Sequence, residues 1–481
     1  MKQKSLNLNM LLNAIKGFMG VIFPLITFPY ISRVLGVENL GRFNFAVSVI
    51  SYIVLLAGLG INQYAIREGA RVREDKEKFG KLANQVFTIN IISTIFAYLV
   101  LVVLLLVVPK FQNYTALMLI LASQIIFTAF GTEWIYSIYE EYAYITLRSV
   151  VFQIVSLVLM FTFVKTADDV NIYAIITVVS SSGANIFNFI YAKKYHRVKL
   201  TKNPDFKNHL KPILVLFALN ATVSIYTSSG TTILGFLSGD EAVGIYAVSV
   251  KVYNVIKGVI ASVVLVSIPR ISSLLGGESK EKLIETTKNI YSTLLTVTMP
   301  AVFGMAVLSK EIVLIISDEA FLRATPAIAV LSATMFVCLG AYFWGQAILV
   351  PFKKENIVLK VTITSAVVNV LVNFALIPVI NETAPAVATL ISETIAFIWC
   401  MLAGKKFVGN IGGIKICVKT VIGCIPIPIY SFLLKPVISN MYLYIIALVA
   451  LSGVTYLIIE LLLKNEVLYD LLRKVKTKFI K

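Results

Sequence analysis

Lys16, Lys251 and Lys257 each lie inside a stretch otherwise apolar enough to span a bilayer. A charge at the centre of a membrane helix costs on the order of 3 kcal/mol on insertion scales. Three uncompensated lysines would cost roughly 9 kcal/mol together. Cations kept at that depth usually face a watery cavity and meet an anion there. Their chemistry is that of a carrier for something negatively charged. Lys257 stands about 12 residues, roughly 18 Å, from the outer end of its span. Its ammonium cannot easily reach the interface from there, and its plainer reading is an ion pair inside the bundle. Lys16 and Lys251 lie nearer span ends, where snorkelling to the interface is an equal reading.

Two acids also lie in spans, Glu133 and Glu393. Either could bind a proton or sodium ion during coupled transport. Glu133 is about one turn from the cytoplasmic end, which favours a plain interfacial role. Glu393 is deeper, with Thr389 and Ser392 nearby, and a hydrogen-bonded neutral carboxyl is an equal reading there.

The elements that must position these groups are membrane helices. Hydrophobic residues make up 58% of the 481 and charged ones only 14%, against about 25% charged in soluble proteins. The apolar runs exceed 18 residues, which predicts helices rather than a β-barrel. Fourteen spans are expected: 10–32, 44–66, 83–108, 115–138, 147–164, 172–192, 211–236, 245–268, 290–316, 326–351, 357–379, 385–404, 415–437 and 441–463. Tight turns are expected at 36–44, 238–244 and 381–385. The i,i+4 pairs Glu74/Lys78 and Glu77/Lys81 suit a helical extension into water.

The net charge of +18 is unevenly placed. With the N-terminus inside, 33 of the 43 Lys and Arg fall on the cytoplasmic side, seven outside and three within spans. That asymmetry is the positive-inside rule, and it puts both termini in the cytoplasm. The charge orients the protein, so no nucleic-acid partner is expected. Cys338, Cys400, Cys417 and Cys424 lie in apolar spans without a CxxC, as small core residues rather than disulfides or metal ligands. His196 and His209 share one cytoplasmic loop. Walker A, HExxH and GxSxG motifs are absent, so neither a P-loop ATPase nor a hydrolase of those classes is expected. No resident cofactor or metal is expected.

The two halves echo each other at an offset of 203. Glu38-Asn39-Leu40-Gly41 stands over Glu241-Ala242-Val243-Gly244, and Arg67 over Arg270. Six spans per half make a parallel repeat, with the binding site expected near the midplane between the halves. The expected domains are an N-lobe of spans one to six (1–192), a basic linker (193–210), a C-lobe of spans seven to twelve (211–404), and spans thirteen and fourteen with a basic tail (405–481). Asn13, Lys16, Gly17, Gly20, Pro24 and Thr27 fall on one stripe of span one. Asn220, Ser224, Thr227, Ser228 and Thr231 do so on span seven, while span two offers Asn44, Ser48, Ser51 and Asn62. On span eight, Lys251, Asn254 and Lys257 fan across about 120°. Together these stripes are expected to line a hydrophilic cleft. The glycan-type contacts assigned to it are Asn13, Asn44, Ser48, Asn220, Thr227 and Asn254. The stripe Thr362, Ser365, Asn369 and Asn373 on span eleven reads instead as helix-to-helix glue.

The run Phe28-Pro29-Tyr30-Ile31-Ser32-Arg33-Val34-Leu35-Gly36, with Gly41 and Phe43, resembles the polysaccharide transporter family, the Wzx-type O-antigen and capsule repeat-unit flippases. So does a second block, Glu133-Trp134, Glu140-Glu141, Tyr144-Ile145, Arg148, Asp168-Asp169 and Tyr173. The family belongs to the multidrug/oligosaccharidyl-lipid/polysaccharide flippase superfamily, and the resemblance covers nearly the whole chain. It implies an all-α polytopic, MATE-like fold with two six-helix lobes, two extra helices and a cationic central cavity. It also implies a bacterial cytoplasmic-membrane location and an undecaprenyl-pyrophosphate-linked oligosaccharide as cargo, with a polysaccharide polymerase and a chain-length regulator as candidate partners beside the membrane lipids. Lys16, Lys251 and Lys257 would hold the pyrophosphate. A lipid II flippase and a drug/cation antiporter are the alternatives. The antiporter would want acids in spans one, two, seven and eight, which carry none. A membrane glycosyl-polymerase would normally need a large outer loop, and the outer loops are short.

Overall fold

The computed structural model describes residues 6–275, 279–465 and 467–469, with side chains described for these apart from 6–16, 18, 21, 22 and 186. Every regular element among the described residues is helical. The first helices are α1 (Leu6–Gly58), α2 (Ile61–Val72), α3 (Lys76–Val107), α4 (Pro109–Gln112), α5 (Thr115–Gly131) and α6 (Glu133–Ile138). Then come α7 (Tyr142–Phe163), α8 (Val170–Val178), α9 (Asn185–Tyr191), α10 (Phe206–Leu274), α11 (Lys280–Val307) and α12 (Ser309–Ile316). The last are α13 (Thr325–Tyr342), α14 (Glu355–Ile380), α15 (Ala384–Val408), α16 (Gly413–Cys424), α17 (Pro426–Leu434) and α18 (Met441–Leu462).

Ten described segments are long and apolar enough to cross a membrane. Three of them, Phe23–Val72, Phe206–Leu274 and Glu355–Val408, each hold two of the expected spans. With the shorter apolar helix Thr115–Gly131 the count reaches the fourteen expected. The protein is a multi-pass, all-α membrane protein. The expected turns at 36–44 and 238–244 shrink to one residue each. Gly36 (φ 69°, ψ −179°) interrupts α1, and Gly239 (φ 84°, ψ −173°) interrupts α10. A positive φ with extended ψ is glycine territory, and the two positions stand 203 apart, the offset of the repeat. Pro24 and Pro29 lie inside α1, whose non-helical interior residue is Gly36.

Span four is not one helix. Thr132 adopts φ 44° and separates α5 from α6. Span six carries a π turn at Val179–Gly183, and span ten ends in another at Phe343–Leu349. The expected Glu74/Lys78 pair is replaced by Lys78 with Asp75, 3.0 Å apart. The reason is local: α2 stops at Val72, and Asp75 caps α3 by accepting from the N–H groups of Glu77 and Lys78, so Glu74 lies outside the helix.

By packing the chain divides into two compact units, Met1–Gly244 and Ile245–Lys481. In the first, α3, α5 and α7 pack on α1, while α2 packs on α3 and α6. An aromatic cluster closes its basic end, the end of the helices flanked by 67–82 and 193–210. Trp134, Tyr136 and Phe79 are buried there, and Tyr139 stacks on Tyr195 with centroids 4.2 Å apart. The linker after span six is docked rather than loose. Asn84 accepts from the Lys199 N–H at 2.8 Å, Thr88 accepts from the Thr201 N–H at 3.0 Å, and Gln85 donates to the Asn203 carbonyl at 3.3 Å.

In the second unit α13 and α14 pack on α15, and α11 on α13 and α16. The span-eleven stripe is glue. Ser365 donates to the Ser392 carbonyl at 3.2 Å, and Asn369 to the Ser392 hydroxyl at 3.2 Å, joining α14 to α15. Away from water such bonds replace the hydrophobic effect as the force between helices.

Candidate functional site

In the first unit the polar stripes of spans two and seven meet each other. The Thr232 hydroxyl lies 2.9 Å from the Ser48 hydroxyl and 3.4 Å from the Tyr52 hydroxyl, within hydrogen-bond reach of both. Ser51 donates to Ser228 at 3.3 Å, and Gln63 of α2 to Asn220 at 3.5 Å. At the basic end Tyr64 and His209 are 2.6 Å apart, and the second ring nitrogen of His209 lies 3.1 Å from Gln85. Gly60 faces Leu216 so closely that a Cβ there would stand 2.7 Å from the leucine Cβ. Small hydroxyl side chains let two helices approach and bond across. The expected cleft-lining residues Ser48 and Asn220 therefore form part of a hydrogen-bonded seam.

Two other expected lining residues do not join the seam's bonds. Asn44 donates to the Leu40 carbonyl of its own helix at 2.8 Å. Thr227 is exposed and donates to the Val223 carbonyl at 3.0 Å. Sequence reasoning missed Thr232, Tyr52 and Gln63. Tyr52 follows Ser48 at i+4, and that spacing is the signal that places it on the same face.

The far end of the seam is tied by a cation. Lys110 donates to the Gly235 carbonyl and stands over the rings of Phe45 and Phe236, 5.2 and 5.8 Å from their centroids. Tyr114 donates to Asp240 at 2.5 Å. Lys110 follows span three in the sequence, among the seven cations outside, and nothing there hints at this knot, because Gly235 and Asp240 lie more than 120 residues away.

In the second unit Lys251, Asn254 and Lys257 lie on α10 beyond its kink. Lys257 is half-buried, with its ammonium 4.7 Å from the centroid of the Tyr253 ring. A cation over a neutral π face is stabilised without a counter-charge. Lys251 is half-buried, and Asn254 is exposed. Glu393 on α15 shares an environment with Lys257. The Cys338 thiol of α13 interacts electrostatically with Glu393, Lys257 and Tyr253. Residues of three helices, one cation and one acid among them, thus meet electrostatically at the Cys338 thiol. Glu133, in the first unit, lies 3.7 Å from Arg148, which also donates to Asn185 at 3.5 Å. The side chains of Asn13 and Lys16 lie outside the described residues. Among the described residues no cluster of three or more His, Cys, Asp or Glu could hold a metal ion.

Residues 8–275 match the family model described as polysaccharide biosynthesis protein, over half the chain. The chain belongs to this family. Within reach of it is a protein of Escherichia coli (strain K12) named "Putative O-antigen transporter", 23% identical over 81% of this chain and 94% of that one. The capsular polysaccharide biosynthesis protein CapF of Staphylococcus aureus is 22% identical over 75% of this chain and 89% of its own. Among solved structures the fold matches the lipid II flippase MurJ in an inward closed conformation, with a TM-score of 0.75 at 16% identity, covering 95% of this chain and 99% of that one. It also matches an inward-facing multidrug transporter of the MATE family, with a TM-score of 0.63 at 14% identity over 84% and 99% of the two chains. The chain is thus a multi-pass, all-α membrane member of a polysaccharide biosynthesis family. The E. coli relative is named for transport, and the two solved structures for flipping and for multidrug transport.

Proposed function

We propose that this protein flips an undecaprenyl-pyrophosphate-linked oligosaccharide repeat unit from the inner to the outer leaflet of the bacterial cytoplasmic membrane, for surface polysaccharide biosynthesis. One observation carries the reading. Lys257 sits half-buried in mid-helix, and its described partner is the neutral ring of Tyr253. A bare ion entering a medium of low dielectric costs on the order of 20 kcal/mol, so a diphosphate crosses hydrocarbon only with cations around it. Lys16, Lys251 and Lys257 supply them, and charge-assisted hydrogen bonds to phosphate are roughly twice as strong as neutral ones. Asn13, Asn44 and Asn254 offer amides to the glycan, together with hydroxyls of the seam when it parts. The isoprenoid tail stays in lipid.

The cycle is alternating access. The moving bodies are the two halves of the repeat, 1–192 and 211–404, with spans thirteen and fourteen beside them. The basic end and both termini face the cytoplasm, where the cargo is made, by the charge asymmetry of the loops. A proton or sodium ion bound at Glu393, or less centrally at Glu133, drives the return; Glu393 is favoured because it and Lys257 act on the same Cys338 thiol.

Deleting the gene and analysing the lipid-linked intermediates tests the reading. Accumulation of a complete lipid-linked repeat unit on the inner leaflet, with loss of surface polysaccharide, is expected. Unchanged surface polysaccharide overturns it. The match in fold to MurJ favours lipid II as the second cargo, and in that case lipid II accumulates instead.

A further inference from the structure

The first part of α10 has two opposite faces. His209, Ile213, Leu216 and Asn220 recur at helical spacing on the face of the seam. His209 and Ile213 are buried, Leu216 abuts Gly60, and Asn220 meets Gln63. Two residues along the helix is a rotation of about 200°, so Lys207, Lys211, Leu214 and Ala218 point away from the seam. There a furrow runs along the helix, lined by Lys207, Leu210, Lys211, Leu214, Val215 and Ala218. Both lysines are exposed, and so are Leu210, Leu214 and Val215. The order along the furrow is charge first, then hydrocarbon.

We infer that this furrow is a docking groove for an isoprenoid diphosphate, the anchor of the lipid-linked cargo, on the inner leaflet before transport; the inference rests on the function proposed above. Charge complementarity selects the occupant. The two ammonium-bearing residues stand one turn apart, about 6 Å along the axis, and point the same way. Each can face one phosphate of a diphosphate as a point charge. A phosphodiester lipid, with a single charge, would satisfy only one of them. The preceding linker adds Lys193, Lys194, Arg197, Lys199 and Lys202, all exposed. A field of one sign concentrates the most highly charged headgroup. Below the lysines the apolar wall from Leu214 to Ala218 runs about 6 Å down the helix and offers the first isoprene unit a surface. The site differs in kind from the Lys257 region. Exposed lysines collect the lipid, whereas half-buried ones carry it.

Geranylgeranyl diphosphate is the probe, titrated into the full-length protein in phosphatidylcholine nanodiscs and read by native mass spectrometry. Wild type is expected to bind it. The Lys207→Gln/Lys211→Gln variant is expected to lose about thirtyfold in affinity, the weight of two lysines at an anionic headgroup. Val215→Trp, which fills the furrow and leaves both lysines in place, is expected to weaken the probe while sparing inorganic diphosphate. An excess of phosphatidylglycerol is expected not to displace the probe. Wild-type affinity in the double lysine variant overturns the groove, as does displacement by phosphatidylglycerol mole for mole, which makes it an ordinary anionic-lipid contact. A Lys257→Gln arm separates the two readings. If that change alone abolishes binding, the groove fails and the proposed function stands. If wild type itself prefers phosphatidylglycerol, both fall.

Discussion

Gly41 and Gly244 stand 203 positions apart, and each presses its missing side chain against the backbone of the other helical hairpin. A Cβ on Gly41 would lie 1.8 Å from the Asp240 carbonyl oxygen. A Cβ on Gly244 would lie 2.0 Å from the Val37 carbonyl oxygen. Val37 and Asp240 are themselves 203 apart, so the contact is reciprocal, each half of the repeat doing to the other what is done to it. With the kinks at Gly36 and Gly239, the internal echo seen in the sequence becomes a local two-fold crossing. Glycine is needed here because the obstructing atoms are backbone and cannot swing aside.

The first prediction follows from that crossing. Gly41→Ala and Gly244→Ala each force a backbone shift, and overpacking of this kind costs about 2 kcal/mol. Each variant is expected to melt several degrees below wild type in detergent by thermal-shift fluorescence. Because the two contacts share one crossing, the double variant is expected to depart from the sum of the singles. An alanine pair as stable as wild type would show that the hairpins do not cross this closely.

Lys257 gives the second. Lys257→Glu replaces the cation near the Cys338 thiol, which Glu393 also influences, with a second acid, and on the proposed function it removes a phosphate partner. Surface polysaccharide is expected to vanish while the protein still inserts. Lys257→Arg keeps the charge and the cation over the Tyr253 ring and is expected to retain a measurable fraction. Quantitative surface staining against membrane-fraction immunoblots reads both, and normal polysaccharide in a well-expressed Lys257→Glu strain removes this residue from the mechanism.

The membrane architecture was legible because hydropathy acts over whole spans. Eighteen apolar residues leave a helix no alternative in lipid, and the fourteen spans follow. Breaks inside spans were not legible. Thr132 is the left-handed residue that splits 115–138, yet a β-branched residue ordinarily avoids positive φ, so its type does not mark it. The polar stripes were visible, but their direction was not. A row of Ser and Thr has the same spacing whether it faces water or another helix. Ser48 and Thr232 show the second case, and only pairing across more than 180 residues reveals it. Long-range partners of single charges were hidden for the same reason, Lys110 with Gly235 above all.

His196 carries a pH dependence. It lies in the docked linker, with its ring nitrogen 3.1 Å from the Asn84 carboxamide oxygen and its ring against Gly80. Burial, then the nearby Lys199 charge, lowers its pKa below the ordinary 6.5. The neutral ring is thus the folded form. Below pH 6.5 the unfolded chain binds the proton more readily than the folded one, so stability falls as pH drops from 6.5 towards the folded pKa. Above 6.5 the contribution is complete. Melting temperature in detergent is expected to decline below pH 6.5, and His196→Asn is expected to flatten that decline. A slope unchanged by the substitution assigns the dependence elsewhere.

The last prediction concerns an ion pair in the second unit. Arg323 grips Glu382 with two bonds, Nε to Oε1 at 3.0 Å and Nη2 to Oε2 at 3.1 Å. Glu382 is buried while the arginine side chain is 54% exposed. That imbalance decides the outcome. Removing the arginine strands a buried carboxylate, whereas removing the carboxylate leaves an arginine that water can still solvate. Arg323→Ala is therefore expected to destabilise by about 2 kcal/mol, below the range for fully buried pairs because solvent screens this one. Glu382→Gln is expected to cost less, and Arg323→Lys to fall between, since a point charge cannot reproduce the two-pronged geometry. Ranked melting temperatures of the three variants check the order, and a Glu382→Gln loss exceeding that of Arg323→Ala would mean the carboxylate serves a partner other than Arg323.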